Sequence, residues 1–198
     1  MRISVATPKA IKYACTQFHY AKAVPAVQYA FNIFNDNDEW CGVICYGGGA
    51  NNNMPKAFDL CAGEILELVR VALNGKQGHG NTSKAVALSL RYLHEINPLV
   101  KMIVSYADHR QEHLGIIYQA TNWIYLGVSE TSDTQYFFKG KWTHERTINA
   151  QKNKAELKKT LPKRENSNKF KYVFCFDKKL RKKYLKQSIP YPKRIANE

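Results

Sequence analysis

"EILELVRVALNGKQGHGNTSKAVALSLRYLHEI", residues 64–96, is the stretch on which the fold turns. Its opening, "EILELVRVAL", alternates in the manner of a strand. Its close, "TSKAVALSLRYLHEI", sets Ala85, Leu88, Leu90, Leu93 and Ile96 along the apolar side of a helix. Between them "NGKQGHGN" is a glycine-rich loop. Gly78 and Gly80 let the backbone come close to a phosphate, and amides at a helix start, aligned with its dipole, favour negative charge. An ordinary tight connection is the competing reading. Asn81 or Thr82 is expected to cap the helix.

Upstream, "VQYAFNIF" and "WCGVICYGG" flank the turn "NDNDE", an antiparallel hairpin signal. "TPKAIKYACTQFHYAKAVP" before them predicts a helix opened by Thr7, with Pro8 at its first position, running to near Pro25. Downstream come the strand "KMIVSY", a short helix over Ile116 to Ala120, the strand "WIYLGVS", and the strand-like "TQYFFKGKWTHERTI" bent at Gly140. This mixture of strands and helices belongs to the α/β (α+β) class.

The formal charge is +14, and residues 150–198 carry sixteen Lys or Arg against four Asp or Glu. The excess is local, so a polyanion surface is expected there. Two parts of that segment read differently. Phe170, Tyr172, Phe174 and Phe176 have the period of a strand with one apolar face and belong to a core. Lys178, Lys179, Arg181, Lys182, Lys183 and Lys186 crowd six cations into nine positions. Such a run repels itself unless a polyanion takes up its field, and it is the candidate nucleic-acid contact. The chain is accordingly divided into a core over 1–149 and a basic C-terminal extension over 150–198, partly packed on it. The five cysteines lack a paired CxxC arrangement, which argues against a zinc site or a disulfide framework, and Cys41 and Cys45 are expected in the core. No apolar run is long enough to span a bilayer and the first residues are too polar for a signal peptide, so a soluble protein of the cytoplasm is expected.

A second stretch, "SYADHRQEHLGIIYQATNWIYLG" over 105–127, gathers polar chemistry. Asp108 follows a strand and Tyr118 lies on the next helix, where open sheets present ligands. Asp108 could equally cap that helix, and Tyr118 could be a core tyrosine. His109, His113 and His144 read as surface or supporting residues. Arg70 is harder to place, because a guanidinium within an apolar strand needs acceptors or an anion. Glu64 or Glu67 would be its alternative partner.

Gln77-Gly78-His79-Gly80-Asn81-Thr82 resembles the loop with which GNAT acetyltransferases hold the pyrophosphate of coenzyme A, with Thr82 where a small residue is usual. "FHYAKAVP", "ELVRVAL", the 105–127 stretch and "YVFCFDKKLRKKYLKQSIPYPKR" together resemble the phage Mom proteins. That resemblance implies a GNAT-like, mixed and mostly antiparallel sheet flanked by helices. It also implies conversion of adenine in DNA to its N6-methylcarbamoyl form, protecting phage DNA from host restriction. By it, His19, Tyr20, Asp108 and Tyr118 fall in the reactive centre, and Arg70 on a position linked to cofactor binding or activity. Acetyl-CoA is the implied donor, held by Gln77, Gly78, Gly80, Asn81, Thr82 and Ser83. An iron ion with His, Tyr and Asp ligands is implied at His19, Tyr20 and Asp108. Asp108 or His19 is then the proton acceptor, and Tyr118 or Tyr20 the donor or ligand. An N-acetyltransferase for a protein or small amine would need the loop without the basic segment. A non-enzymatic DNA-binding protein would need the basic segment without the loop.

Overall fold

A computed structural model describes residues 1–49, 52–108, 114–129, 134–165 and 169–193. In chain order the elements are β1 (Arg2–Val5), α1 (Pro8–Gln17), β2 (Tyr29–Phe34), β3 (Trp40–Gly47), α2 (Met54–Ala57), β4 (Ile65–Leu73), α3 (Asn81–Ile96), β5 (Met102–Ala107) and α4 (Ile116–Gln119). They continue with β6 (Ile124–Val128), β7 (Thr134–Phe138), β8 (Lys141–His144), α5 (Glu145–Asn149), α6 (Lys154–Thr160), β9 (Lys163–Glu165), β10 (Phe170–Cys175) and α7 (Lys178–Leu185). Seven strands form one sheet in the order β1-β2-β3-β4-β5-β10-β6, and three form another in the order β8-β7-β9. Within the large sheet only β4 and β5 pair in parallel. The sheet is therefore mixed and mostly antiparallel, as the resemblance implied.

Each face of the large sheet has its own helices. Leu66, Leu68, Ile103 and Tyr172 pack against Ala85, Val86, Leu90 and Leu93 of α3 and Tyr118 of α4. On the opposite face Ile65, Met102, Val104, Val173 and Cys175 meet Met54 of α2 and Tyr184 of α7. Val43, Cys45 and Ala72 on that same side receive Ala14 and Cys15 of α1. Each buried Leu, Ile or Val contributes about 1.5–3 kcal/mol, so both faces are committed to core. Cys41 and Cys45 are fully buried, as expected. Phe170, Phe174 and Phe176 pack around Tyr172 on the α3 side, again as the period of two required. Their strand, β10, lies between β5 and β6, so residues beyond 150 supply an interior strand.

Two local expectations need correction. The first helix stops at Gln17 instead of near Pro25. Phe18 leaves the helix axis to pack on Tyr13 and Trp40 at centroid distances of 5.6 and 5.7 Å, and Lys22 Nζ donates to the Gln17 carbonyl at 2.8 Å. His19 and Tyr20 therefore sit in a turn after α1. Secondly, neither Asn81 nor Thr82 caps α3. Gly80 is the N-cap, at φ +73°, because the Asn81 side chain turns back to the Gln77 carbonyl at 2.6 Å and the Gln77 amide donates to the Thr82 hydroxyl at 3.0 Å. The lysine-rich run forms the helix α7. Asp177 caps it by accepting from the Leu180 amide at 2.8 Å, and Leu180 and Tyr184, four apart, turn one side to the core. None of the described helices is long and apolar enough to cross a membrane.

Two features of β4 open a site. Its parallel pairing with β5 runs only from Ile65/Met102 to Glu67/Val104, after which the strands part. Leu68 faces Tyr46 and Arg70 faces Cys45 across the ladder to β3, leaving Val69 as the extra residue of a bulge. A bulge shifts the side-chain alternation by one. Leu66 and Leu68 face α3 before it, Val71 and Leu73 after it, so Arg70 is turned to the α1 side with Ala72.

Candidate active site

Where β4 and β5 separate, a cavity of about 560 Å³ is lined by His19, Tyr20, Arg70, Thr82, Asp108 and Tyr118. Residues spread over a hundred positions thus converge on one space. Asp108 follows the last residue of β5 and is 7% exposed. His19 Nδ1 accepts from the Ala21 amide at 3.1 Å, which orients the ring, and the ring lies 4.3 Å from that of Tyr20.

Tyr118 is carried by α4, whose start is set by Gly115 at φ +73°. The bland reading of Tyr118 as core is partly met, since it packs against Trp123 and Tyr172 at 5.0 and 5.1 Å. Its hydroxyl nevertheless borders the cavity. Ser105 Oγ donates to it at 2.8 Å, which leaves the phenol proton free to point away from the serine. Burial pushes the Tyr118 pKa up to about 12, outweighing the opposing Ser105 bond, and the neighbouring Tyr20 and Glu67 add to the rise. At neutral pH the hydroxyl holds its proton.

Gly115 admits a direct check on this placement. A Cβ there would lie 2.5 Å from the Tyr172 ring, and Tyr172 is fully buried. Gly115→Ala is therefore expected to cost about 2–3 kcal/mol through overpacking and positive φ together. The drop should be read in urea denaturation midpoints. An unchanged midpoint would mean that α4 can shift freely and that Tyr118 is not rigidly held.

Arg70 Nη1 donates to the Val69 carbonyl at 2.7 Å, while its Nε is buried without a partner. Glu64 pairs instead with Lys101 at 2.5 Å, and Arg70 forms no ion pair among the described residues. A half-buried guanidinium with an unfilled donor beside a cavity suits an anion or a polarised carbonyl.

The glycine loop borders the same cavity through Thr82. Gly78 and Gly80 both have positive φ, +83° and +73°, which other residues rarely adopt. Gly80 has no side chain, so the first amides of α3 receive no side-chain cap. The Gln77 amide keeps one buried polar atom, Oε1, unpaired. Ser83 Oγ donates to the Gly80 carbonyl at 2.9 Å, so it shapes the loop. These residues fit a pyrophosphate: a helix start that no side chain caps, glycines for close approach, and Thr82 at the mouth.

The iron expectation is not supported. Among the described residues no group of three or more His, Cys, Asp or Glu could hold a metal ion. At the expected position the donors reduce to one imidazole nitrogen, one carboxylate and a half-exposed phenol, since His19 Nδ1 is engaged by Ala21.

The basic residues divide. Arg181 Nη1 donates to the Asn122 carbonyl at 3.2 Å, and Lys183 pairs with Asp59 at 2.8 Å. Lys178, Lys179, Lys182 and Lys186 are exposed, on the α1 and α2 side of the sheet. His144 caps α5 by accepting from the Arg146 amide at 3.0 Å, and His109 and His113 lie outside the described residues. Sequence reasoning missed Glu67, Tyr106 and Lys169 as cavity residues. Only Glu67 carried a signal, a lone carboxylate inside an apolar strand. Its carboxylate lies where a Cβ on Gly49 would sit, 2.6 Å away, so the glycine makes room for it.

The model of the Mom protein family matches residues 1–193, nearly the whole chain. The chain belongs to the Mom protein family. It is 28% identical over 187 residues to the methylcarbamoylase Mom of Escherichia phage Mu, covering 88% of this chain and 76% of that protein. Among solved structures it resembles the spermidine/spermine N-acetyltransferase of Vibrio cholerae at a TM-score of 0.53 and 8% identity, covering 91% of this chain and 95% of that one. The ribosomal-protein-S5-alanine acetyltransferase of Vibrio fischeri aligns at 0.51 and 10% identity, covering 89% and 93%. At such identities the likeness concerns the fold, which is that of the GNAT acetyltransferases.

Proposed function

We propose that the protein modifies adenine in DNA at N6 and so shields phage DNA from restriction. The step its residues serve is attack of N6 on a coenzyme A thioester, in which the N6–C bond forms as the C–S bond breaks, while the nitrogen of an N6-methylcarbamoyl product is left to a separate donor. The enzyme class follows from family and fold together: it is a transferase. The observation that carries the finer reading is the cavity through the splayed sheet, where Asp108, His19, Tyr20, Arg70 and Tyr118 meet Thr82 at the start of a helix that no side chain caps. When bound, a coenzyme A thioester supplies an activated carbonyl carbon with a thiolate leaving group.

The adenine N6 amine is conjugated to its ring and is a weak nucleophile. Asp108 is assigned as the acceptor of the N6 proton, with His19 Nε2 as the alternative atom on the same wall. Tyr118 Oη holds a proton at neutral pH and faces the cavity, which suits it to protonate the leaving group. Ser105 then donates to the oxygen left behind. Arg70, whose buried Nε lacks a partner, is assigned to take up negative charge on the reacting carbonyl oxygen. In duplex DNA the adenine must leave the stack to enter such a space. A polyamine substrate is disfavoured, because a chain of charge +14 repels a polycation.

Mass spectrometry of nucleosides from DNA incubated with the protein and acetyl-CoA tests this. An adenosine of increased mass is expected; unmodified DNA, with acetylation appearing on added amines, would overturn the DNA substrate. The α7 face is tested separately. Replacing Lys178, Lys179, Lys182 and Lys186 together by Gln is expected to weaken DNA binding and flatten its log–log salt dependence by about 0.9 per lost phosphate contact. Unchanged affinity and slope would make α7 a solvated face.

A further inference from the structure

The small sheet carries a surface that the cavity does not use. Register pairs Phe137 with Trp142, and Gln135 with Arg164, so all four side chains share one face. Its other face is covered, since Tyr136 is buried there with Ile148 of α5. On the open face Phe137 and Trp142 are 41% and 38% exposed, with rings 5.5 Å apart. Arg164 lies over the Trp142 ring at 4.4 Å, and Gln135 Oε1 fixes its guanidinium by accepting two bonds at 3.0 and 2.7 Å. Two aromatic rings set edge-to-face at 63° and a guanidinium over the Trp142 ring thus gather on this open face. Lys141, opposite Phe138, and Lys163, opposite Tyr136, point to the other face, and residues 134–165 as a whole hold nine Lys or Arg against three Glu.

The small sheet also leaves the large one at a telling place. The chain departs after Ser129 and returns at Lys169, where the Ser129 amide donates to the Lys169 carbonyl at 2.8 Å and the Lys169 amide to Ser129 Oγ at 3.0 Å. Lys169 lines the cavity beside Asp108. The small sheet is therefore rooted at the rim of the reaction site, whereas α7 follows the far end of β10, next to Met102.

We propose that this face stacks on an unpaired nucleobase of the DNA, at the place where the helix is opened to release the target adenine. This rests on the DNA reading above. Base faces are available for stacking only where the stack is broken, and a ring pair with a guanidinium plane suits one in any sequence. The net positive charge of residues 134–165 favours the approach of a phosphate backbone. Neither aromatic has a structural task on its exposed face, and a plain phosphate contact would need lysines alone.

The test uses the full chain with single-stranded DNA, closed duplex, and duplex with one abasic site. Wild type is expected to bind the opened forms about 5–150-fold more tightly than closed duplex, the range given by stacking one base. Trp142→Ala should lose that preference, and Trp142→Phe should keep most of it. The lysine-to-glutamine set on α7 should weaken all three DNAs alike. Because Trp142→Ala could disturb the small sheet, tryptophan emission of the unmutated protein supplies a second measurement. Trp123 is fully buried and Trp142 is exposed, so DNA should quench the emission that Trp142→Phe removes. Equal quenching by heparin, a polyanion without bases, would overturn stacking. So would a folded Trp142→Ala protein that binds as wild type while wild type still prefers opened DNA. Failure of wild type to bind any DNA would instead remove the DNA reading itself.

Discussion

Asp108→Asn is expected to cut modification of adenine by about 10²–10⁴-fold, the usual range for a positioned proton acceptor, with folding and DNA affinity nearly unchanged. Asparagine keeps the size of the side chain and one accepting oxygen but cannot take a proton. The carboxylate is buried just after β5, four residues beyond the last pair with β4, and lines the cavity opened between the two strands. Initial rates of modified nucleoside, thermal midpoints and DNA binding, measured on one preparation, separate the possibilities. A variant that loses its fold yet keeps full activity per folded molecule would show that Asp108 is a structural cap. A folded variant with wild-type rates would move the proton to His19 or Glu67, the other groups on that wall with an atom able to accept it.

How much of this arrangement the chain discloses depends on whether a feature is local. The passage from β4 through the glycine loop to α3 was legible because alternation, two glycines and a helical stripe each act over a few residues. Asp108 and Tyr118 were legible for the same reason, lying at the end of a strand and on the next helix. The end of α1 was not, because Phe18 leaves the helix for a ring on β3, a contact no local pattern announces. Nor was α7, where eight positions rich in lysine conceal just two core contacts, Leu180 and Tyr184. Arg70 shows the deepest limit. Plain alternation puts it with Leu66 and Leu68 toward α3, and one unpaired residue, Val69, reverses that. The strand's partner creates the bulge, so its effect on Arg70 emerges only when the sheet is assembled.

Tyr118→Phe is expected to lower turnover by about 10²–10³-fold while changing stability by no more than about 1 kcal/mol. The two effects separate because the hydroxyl contributes little to the packing. Ser105, which donates to Tyr118 at 2.8 Å, also lies 3.1 Å from the Leu68 carbonyl and keeps that acceptor when the phenol is gone. The ring contacts with Trp123 and Tyr172 persist in phenylalanine. A pH experiment then ties the loss to the proton. Burial raises the Tyr118 pKa from 10.0 to about 12, so the folded state holds the proton more tightly than the unfolded chain. The resulting stability is complete below pH 10 and is lost as pH rises toward 12. At about 1.36 kcal/mol per pH unit, wild type should lose at most about 2.7 kcal/mol more than the variant across that window. Tyr106 and Tyr172, also raised to about 12, contribute equally to both proteins and cancel in the difference. Urea denaturation of the pair at pH 9, 10, 11 and 12 measures it. If turnover falls while the alkaline limbs separate, the buried hydroxyl is both protonated and used. If the variant turns over as fast as wild type, the proton reaches the leaving group from elsewhere, and Tyr20 on the opposite wall becomes the donor to examine.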